Sequence, residues 1–473
     1  MKARLLLVVL VAMLMLPSSF AAPQAKCNEG SNSRTPPELQ AIDKVVEDGL
    51  QQYGLPSASI AIVRDGAIAY ACAYGNSRLE PPGNAATWQR YAIGSISKQF
   101  TAAAVLLLAE DGKLTLDDKV SRYFPKLTRA NEVSIRHLLS MTSGYQDNWP
   151  QDYLLPKMAK PTTPQAILDE WAMKPLDFEP GTKYQYSNTN YVIAGLVVEK
   201  VSGMRFFHFL QKRIFHPLGM KSATDIDAGE IAEGQAVGYQ RFALGPPRPA
   251  PKEAKGWLYA MGGLAMAPID LAKWNVALIE RKVMKPASYR EFTSAARLAN
   301  GAAPGYALGI NARMTAGRFT LSHSGEVMGF VANNVVYPEE RVAITVLTNQ
   351  MTGGAGAITD RIATLLFAVN NAPVRVSEER ARKVFAALQR GEFDRSLFTE
   401  NAHFYFNNEV RKDFADTLAP LGTPTEFVAL PRGLRGGMIA QSYRVVAGGK
   451  RLVVLTFEMP DGKLDQFMVQ VAD

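Results

Sequence analysis

Two β-rich blocks at opposite ends of one segment constrain the fold of this chain more than any other feature. Near the start, runs at 57–63 and 67–73 flank Asp65-Gly66, a dipeptide typical of a tight β-hairpin. Far downstream, three further β-runs lie between 318 and 347. Because helical patterns flank both blocks, we predict one antiparallel sheet whose strands come from both ends of the segment.

The stretch between the two blocks has the apolar periodicity of helices, broken by loops. It predicts a mixed α/β (α+β) domain over 38–372, with a central antiparallel sheet flanked by helices and an all-helical region. The helices that we predict for this domain are 38–53, one that begins at Ser95 and ends near Gly112, 189–201 and one near 356–369.

The pattern changes after Asn370-Asn371-Ala372-Pro373. An amphipathic helix is predicted at 377–390, and four β-runs follow it. We therefore predict a second, small α+β domain over 374–473, cone-like in shape, with a lipocalin-like barrel as the alternative. The predicted strands are 403–406, 440–446, 452–458 and 466–471.

The first residues have the pattern of a secretory signal peptide. Lys2 and Arg4 precede the apolar run 5–16, and small residues follow it. The run is too short to span a bilayer, so we predict cleavage after Ala21, with a permanent anchor as the alternative. Residues 22–37 would then form a polar leader. This predicts an exported bacterial protein, periplasmic or secreted, with no membrane span after cleavage.

The composition of the 473-residue chain is that of a globular protein, with a net charge of +8. The charge is spread without a concentrated basic block, so nucleic-acid binding is not indicated. The only cysteines, Cys27 and Cys72, could form a disulfide in an exported protein or remain two free thiols. No Cys-x-x-Cys or His-Glu-x-x-His occurs, and we predict no metal and no cofactor.

Ser95 and Lys98 form the only Ser-x-x-Lys of the sequence. A helix that begins at Ser95 would place both side chains on one face, one turn apart. A serine hydroxyl is a weak nucleophile until a base takes its proton, and a buried lysine can be that base. Because chance could also supply one such motif in a chain of this length, it needs support from other residues.

Two further motifs give that support. Tyr186-Ser187-Asn188 is the one Tyr-x-Asn triplet, of three, that lies in a loop opening a helix, where simple capping by the asparagine is the alternative. His323-Ser324-Gly325 follows a β-run, and its glycine allows close approach to the strand edge. A histidine satisfied within the strand is the alternative there. The absence of Gly-x-Ser-x-Gly argues against an α/β-hydrolase.

In this order, Ser-x-x-Lys, Tyr-x-Asn and His-x-Gly resemble the active site of the class C β-lactamase and penicillin-binding-protein family of serine hydrolases. The resemblance covers about residues 35–370 and includes the supporting motifs at 64–66, 137–144 and 262–264. It implies a β-lactamase/transpeptidase-like fold and hydrolysis through an acyl-enzyme.

The resemblance also implies a role for each motif residue. Ser95 would be the acylated nucleophile, Lys98 its general base and Tyr186 the proton shuttle to the leaving group. The backbone N–H groups of Ser95 and Glu326 would form the oxyanion hole. The residues implied in substrate binding are Asn188, His323, Ser324 and Gly325.

The chain departs from the β-lactamases at His323, where those enzymes carry a lysine. Histidine is mostly neutral at pH 7, so it would anchor a substrate carboxylate weakly. The His-x-Gly pattern is similar to that of D-amino-acid peptidases and esterases. We therefore expect a peptidase for D-amino-acid or peptidoglycan-type peptides, with small-molecule or cell-wall peptides as its substrates. A carboxylesterase for short acyl esters, a weak β-lactamase and a non-catalytic wall-binding protein are the alternatives.

Overall fold

A computed structural model describes most of the chain. The predicted signal peptide and nearly all of the predicted leader lie outside the described residues. No helix within the described part is both long and apolar enough to cross a membrane. The described residues are 26–27, 37–228, 234–351, 353–369, 372–430 and 433–472.

Strands and helices alternate in blocks along the chain. The strands are β1 (Lys26–Cys27), β2 (Ser57–Arg64), β3 (Ala67–Arg78), β4 (Gly83–Asn84), β5 (Tyr91–Ala92), β6 (Thr224–Asp225), β7 (Tyr239–Gln240), β8 (Arg248–Pro249), β9 (Leu264–Met266), β10 (Asn311–Thr315), β11 (Arg318–Val327), β12 (Phe330–Tyr337), β13 (Val342–Thr348), β14 (Glu426–Ala429), β15 (Gly433–Arg435), β16 (Met438–Ala447), β17 (Lys450–Glu458) and β18 (Leu464–Val471). The α-helices are α1 (Pro37–Tyr53), α2 (Ser97–Glu110), α3 (Ile135–Leu139), α4 (Pro164–Ile167), α5 (Asn188–Ser202), α6 (Phe206–Leu210), α7 (Tyr259–Gly262), α8 (Pro268–Ile279), α9 (Pro286–Thr293), α10 (Ala355–Val369), α11 (Ala372–Gln389), α12 (Glu400–Tyr405) and α13 (Asn408–Leu418).

The main sheet joins strands from both ends of the first domain. Its order is β1-β3-β2-β13-β12-β11-β10, with β4 paired to β3, and every pairing is antiparallel. The β2–β3 hairpin turns at Asp65 and Gly66, which both have positive φ, as a tight hairpin turn requires. β2 pairs with β13 and so joins the two sequence-distant blocks. The predicted sheet is confirmed.

Helices cover both faces of this sheet. On one face α1 and α10 bury Ile42, Val46, Ile358 and Ile362. On the other face lies a larger core that contains α2, α5 and α8. Every residue of α2 from Ser97 to Leu108 is buried, which explains why its sequence is apolar on all sides. α2 therefore has a fixed position, and it follows directly after Ser95.

The segment before α2 packs tightly against β11. Gly94 has a φ of +50°, and a Cβ built on it would lie 2.6 Å from the backbone nitrogen of Glu326. A Cβ on Gly325 would lie 1.8 Å from the carbonyl oxygen of Ile93. Since no side chain fits at either position, the two glycines allow the backbone before α2 to lie directly on the strand.

The C-terminal residues form a separate α+β unit. Its antiparallel sheet has the order β14-β16-β17-β18, with β15 paired to β16. α11 packs on the sheet through contacts such as that between the rings of Phe385 and Phe427, 6.0 Å apart. The predicted strand at 403–406 is wrong, because these residues belong to α12 and the following turn. The Thr399 side chain caps α12 by accepting a hydrogen bond from the Ala402 N–H.

The N-terminal strand brings the two cysteines together. β1 pairs with β3 in a register that places Cys27 opposite Cys72. Cys72 is disulfide-bonded, and none of the described cysteines is a free thiol. Of the two possibilities that the sequence left open, the structure therefore has the disulfide.

The glycine contact between β11 and the Ser95 segment predicts a selective loss of stability. We expect Gly325→Ala to lower the free energy of unfolding by about 1–3 kcal/mol or more, since its Cβ would overlap the Ile93 carbonyl. Gly356→Ala in α10 is the matched control, because a Cβ there meets nothing within 4 Å. That control should be neutral or stabilising by up to about 1 kcal/mol. Denaturant unfolding would measure both, and equal stability of the two variants would contradict the packing.

Candidate active site

Ser95 lies in a short 3-10 helix, Gly94–Ile96, immediately before α2. The expected helix start at Ser95 is therefore two residues early, because α2 begins at Ser97. The 3-10 turn begins at Gly94, where the backbone of β11 lies too close for any side chain. Ser95 is half-buried and lines a cavity of about 240 Å³.

Lys98 is fully buried beside Ser95. Its Nζ lies 2.9 Å from Ser95 Oγ, 2.8 Å from Asn188 Oδ1 and 2.7 Å from the carbonyl oxygen of Met261. These contacts come from the 3-10 helix at Ser95, from α5 and from α7, so three separate elements hold one amine. The predicted Ser95–Lys98 pair is brought into hydrogen-bond contact.

Burial changes the chemistry of this lysine. Removal from water lowers the pKa of Lys98 to about 7, although the negative charge of Asp147 acts in the opposite direction. At neutral pH a large share of the Lys98 side chains is therefore in the uncharged –NH₂ form. An uncharged Nζ has a lone pair that can accept the hydroxyl proton of Ser95.

Tyr186 reaches the same hydroxyl from the loop before α5. Its side chain is hydrogen-bonded to that of Ser95, and its ring centroid lies 5.0 Å from Lys98 Nζ. Burial raises the pKa of Tyr186 well above its ordinary value of 10.0. The phenol therefore keeps its proton at neutral pH and can donate it in a hydrogen bond.

Asn188 is the first residue of α5 and contacts two charged groups. Its Oδ1 faces Lys98, while its Nδ2 donates to Asp147 Oδ2 over 3.4 Å. Its backbone N–H donates to Asp147 Oδ1 over 2.9 Å. Simple helix capping by Asn188, the alternative considered for this residue, does not describe these contacts.

The edge of β11 lies beside the nucleophile. β10 pairs with 318–322 only, which leaves 323–327 next to the Ser95 segment. The Cβ position of Gly325 is 3.3 Å from Ser95 N, and that of Gly94 is 2.6 Å from Glu326 N. The two backbone nitrogens thus lie close to one junction, as a shared oxyanion hole requires, and that role stays a prediction. Ser324 is exposed on the same edge.

His323 lies behind this edge and does not line the cavity. Its Nδ1 donates to the carbonyl oxygen of Ser324 over 2.5 Å, so Nε2 accepts from the Tyr306 hydroxyl over 3.1 Å. Its ring lies 6.2 Å from the ring of Tyr186. Burial, with the charge of Lys98, lowers the pKa of His323 to about 4. The histidine is therefore neutral at physiological pH.

The cavity has apolar walls and an acidic lining. Among its described lining residues there is no lysine or arginine, and none comes from the C-terminal domain. Partial desolvation and the negative charge of Asp152 raise the pKa of Glu326. The carboxylates that line it are Asp147, Asp152 and Glu326, and its apolar residues include Trp149, Leu258, Met261, Val327, Met328 and Met351.

Sequence reasoning missed three groups that hold these side chains. Asp147 lies three residues after the 137–144 motif, and the Met261 carbonyl lies directly before Gly262, so both motifs carried a positional signal. Tyr306 had no such signal, because its contact with His323 depends on the fold. Within the described residues, no cluster of three or more histidine, cysteine or acidic side chains could hold a metal ion.

Comparisons with known proteins show which proteins this chain is similar to. A family profile described as Beta-lactamase matches residues 42–368. D-aminopeptidase from Brucella anthropi is 27% identical over 354 residues, which make up 72% of this chain and 65% of that protein. Penicillin-binding protein 4* from Bacillus subtilis is 28% identical over 309 residues, or 62% of this chain and 68% of that protein. The chain thus spans just under two thirds of the length of the Brucella relative.

Two solved structures have the same fold as this chain and equal TM-scores. A penicillin-binding protein homologue from Pyrococcus abyssi, described as octameric, has a TM-score of 0.62 at 21% identity. The match covers 92% of this chain and 96% of that one. D-amino acid amidase from Ochrobactrum anthropi, in complex with L-phenylalanine amide, has a TM-score of 0.62 at 23% identity, covering 71% and 99%. At these identities the likeness concerns the fold.

The burial of His323 predicts an imidazole that does not titrate near neutrality. We expect one histidine to stay neutral from pH 8 to pH 5, because the pKa of His323 is lowered to about 4. NMR of the imidazole protons would follow it, with the His323→Gln spectrum as the assignment control. A titration of that resonance with a midpoint near 6.5 would contradict the predicted neutral state.

Proposed function

The chain belongs to the β-lactamase family, and from this premise we propose that it is a serine hydrolase that works through an acyl-enzyme on Ser95. The observation that carries the proposal is the contact of Lys98 Nζ with Ser95 Oγ, 2.9 Å long, at a lysine whose pKa is lowered to about 7. A nucleophile in contact with a base that is partly deprotonated at neutral pH is the arrangement that covalent catalysis needs.

Acylation uses both neighbours of the hydroxyl. Ser95 Oγ forms a bond to the substrate carbonyl carbon while its proton passes to the neutral Nζ of Lys98. The carbonyl π electrons move to its oxygen, which the backbone N–H groups of Ser95 and Glu326 would stabilise. When the carbon–nitrogen bond breaks, Tyr186 gives its proton to the leaving amine and recovers one from Lys98. The products are the Ser95 ester and a free amine.

Deacylation follows the same route in reverse. Water takes the place of the amine and gives one proton to the Tyr186–Lys98 pair as it attacks the ester carbon. The bond between Ser95 Oγ and that carbon breaks, the hydroxyl recovers its proton, and the acid is released. Asn188 stays in contact with Lys98 throughout and keeps its amine beside Ser95.

The charge of the cavity favours one substrate class. Substrates of β-lactamases and D-Ala-D-Ala carboxypeptidases carry a carboxylate, which a lining of Asp147, Asp152 and Glu326 would repel. A free ammonium next to the scissile bond would instead be attracted. We therefore favour amides and peptides of D-amino acids with a free amino group, in agreement with the name of the D-aminopeptidase relative.

Export is a further part of the proposal. The N-terminal pattern of Lys2, Arg4 and the apolar run is that of a signal peptide. The disulfide at Cys72 supports it, because disulfides persist in oxidising compartments such as the bacterial periplasm. We propose a periplasmic or secreted enzyme in which no described residue of the C-terminal domain lines the catalytic cavity.

The pair of Ser95 and Lys98 predicts a defined pH dependence. Because the base must be unprotonated, kcat/KM should rise with pH around a midpoint near 7, the pKa of Lys98. Ser95→Ala and Lys98→Met should lower kcat/KM by about 10²–10⁴-fold or more. Lys113→Met, an exposed lysine after α2, is the matched control. Full hydrolysis by Ser95→Ala would exclude the proposed nucleophile.

The acidic lining predicts a preference among substrates. D-alanine p-nitroanilide should be hydrolysed about tenfold or more faster than its N-acetyl form, since a charged hydrogen bond contributes about 1.5–3 kcal/mol. Glu326→Gln should reduce this ratio, whereas Glu339→Gln, exposed on the β12–β13 turn, should not. Nitrocefin, a β-lactam, and p-nitrophenyl acetate, an ester, should be measured beside these two amides. Faster turnover of nitrocefin or of the ester would favour the β-lactamase or esterase alternative instead.

A further inference from the structure

We propose that Asp147 is a positioning residue of this active site, which orients the Asn188 amide and keeps a negative charge facing the amine of Lys98. The inference rests on the proposed function, because it concerns the base that activates Ser95. Asp147 touches neither the nucleophile nor the base through a hydrogen bond, so it acts through Asn188 and through its charge.

The carboxylate of Asp147 is held in place from several directions. Its Oδ1 accepts the backbone N–H groups of Asn188, over 2.9 Å, and of Trp149, over 3.2 Å. Its Oδ2 accepts Asn188 Nδ2 over 3.4 Å. Two backbone donors and one side-chain donor therefore fix the carboxylate at the start of α5.

This arrangement decides which atom of Asn188 faces the lysine. Since Nδ2 donates to the carboxylate, Oδ1 points to Lys98 Nζ, 2.8 Å away. The opposite orientation would place an NH₂ group against the lysine amine and the amide oxygen against the carboxylate. Asp147 thus selects the orientation that keeps Nζ beside Ser95 Oγ.

The charge of Asp147 has a second effect. The titratable groups that face Lys98 are Asp147, His323, Tyr186 and Tyr191. The pKa values of both tyrosines are raised and that of His323 is lowered, so these three are neutral near pH 7. Burial raises the pKa of the Asp147 carboxyl, while the backbone N–H groups of Asn188 and Trp149 and the charge of Lys98 act to lower it. Asp147 is the group among the four that can carry a negative charge, and this charge keeps the pKa of Lys98 from falling further.

Labelling by a fluorophosphonate tests the proposal without knowledge of the substrate. In this reaction the bond between Ser95 Oγ and phosphorus forms, the phosphorus–fluorine bond breaks, fluoride leaves and the Ser95 proton passes to Lys98. The second-order labelling rate should rise around pH 7 in the full-length chain. In Asp147→Asn we expect the midpoint to move lower by about half a pH unit or more, since an opposing charge is lost. We expect the plateau rate to fall about 10- to 100-fold, since Asn188 is misoriented.

Two variants separate this role from a general loss of structure. Asp177→Asn is the matched control, because that carboxylate accepts a hydrogen bond from Gln185 in the loop before α5, outside the cavity. It should keep the wild-type midpoint and plateau. Asp147→Glu retains the charge but moves the carboxylate, so it should keep the midpoint near that of the wild type and lower the plateau.

The outcomes distinguish this inference from the proposed function. If the wild type is not labelled, or Ser95→Ala is labelled equally, the proposed function fails. If the wild type is labelled and a folded Asp147→Asn keeps the wild-type midpoint and plateau, the role of Asp147 is overturned. If circular dichroism shows that Asp147→Asn does not fold, Asp147→Glu decides. The role of Asp147 is overturned if Asp147→Glu has the plateau rate of the wild type. It is also overturned if the midpoint of Asp147→Glu falls by the half pH unit or so expected for a loss of charge.

Discussion

The burial of one amine is the constraint on which the rest of this site depends. Lys98 lies on a helix whose first twelve residues are all buried, and its own side chain is fully removed from water. Such an amine is expensive to bury as a cation and needs hydrogen-bond partners in either state. The 3-10 helix at Ser95 and the helices α5 and α7 provide them. The reactivity of the hydroxyl is therefore a property of how these helices pack.

The close contact between β11 and the Ser95 segment is the second requirement. A hydrolase of this kind needs N–H groups from two different elements to converge on one oxygen, and backbones approach that closely only where side chains are absent. Gly94 and Gly325 both lie at the junction where the oxyanion hole is predicted. The same contact explains why Ser95 lies in a 3-10 turn before α2. β10 pairs with β11 only from Arg318 to Ser322. The rest of the β11 edge is therefore free to contact the Ser95 segment.

Local sequence patterns predicted the sheet and most of its helices because their periodicity extends over many residues. The hairpin at Asp65-Gly66 and the helix over Asn188–Ser202 are examples. The motif residues Ser95, Lys98, Tyr186 and Asn188 were predicted by resemblance, and the fold does bring them together. The failure at 403–406 has a local cause, since a short aromatic run fits a strand and a capped helix equally well. Tyr306 could not be predicted in this way, because nothing near it in sequence marks its contact with His323.

The position of His323 links the electrostatics of the cavity to its sequence. A lysine at this place would need water or an anion, whereas a neutral imidazole can be buried against Ser324 and Tyr306 with both nitrogens satisfied. Burial of the histidine removes a fixed positive charge from the strand beside the substrate. The titratable acids Asp152 and Glu326 line the cavity, with no described lysine or arginine side chain among its lining residues. A histidine in place of a lysine in the third motif thus supports the proposed preference for an amine over a carboxylate in the substrate.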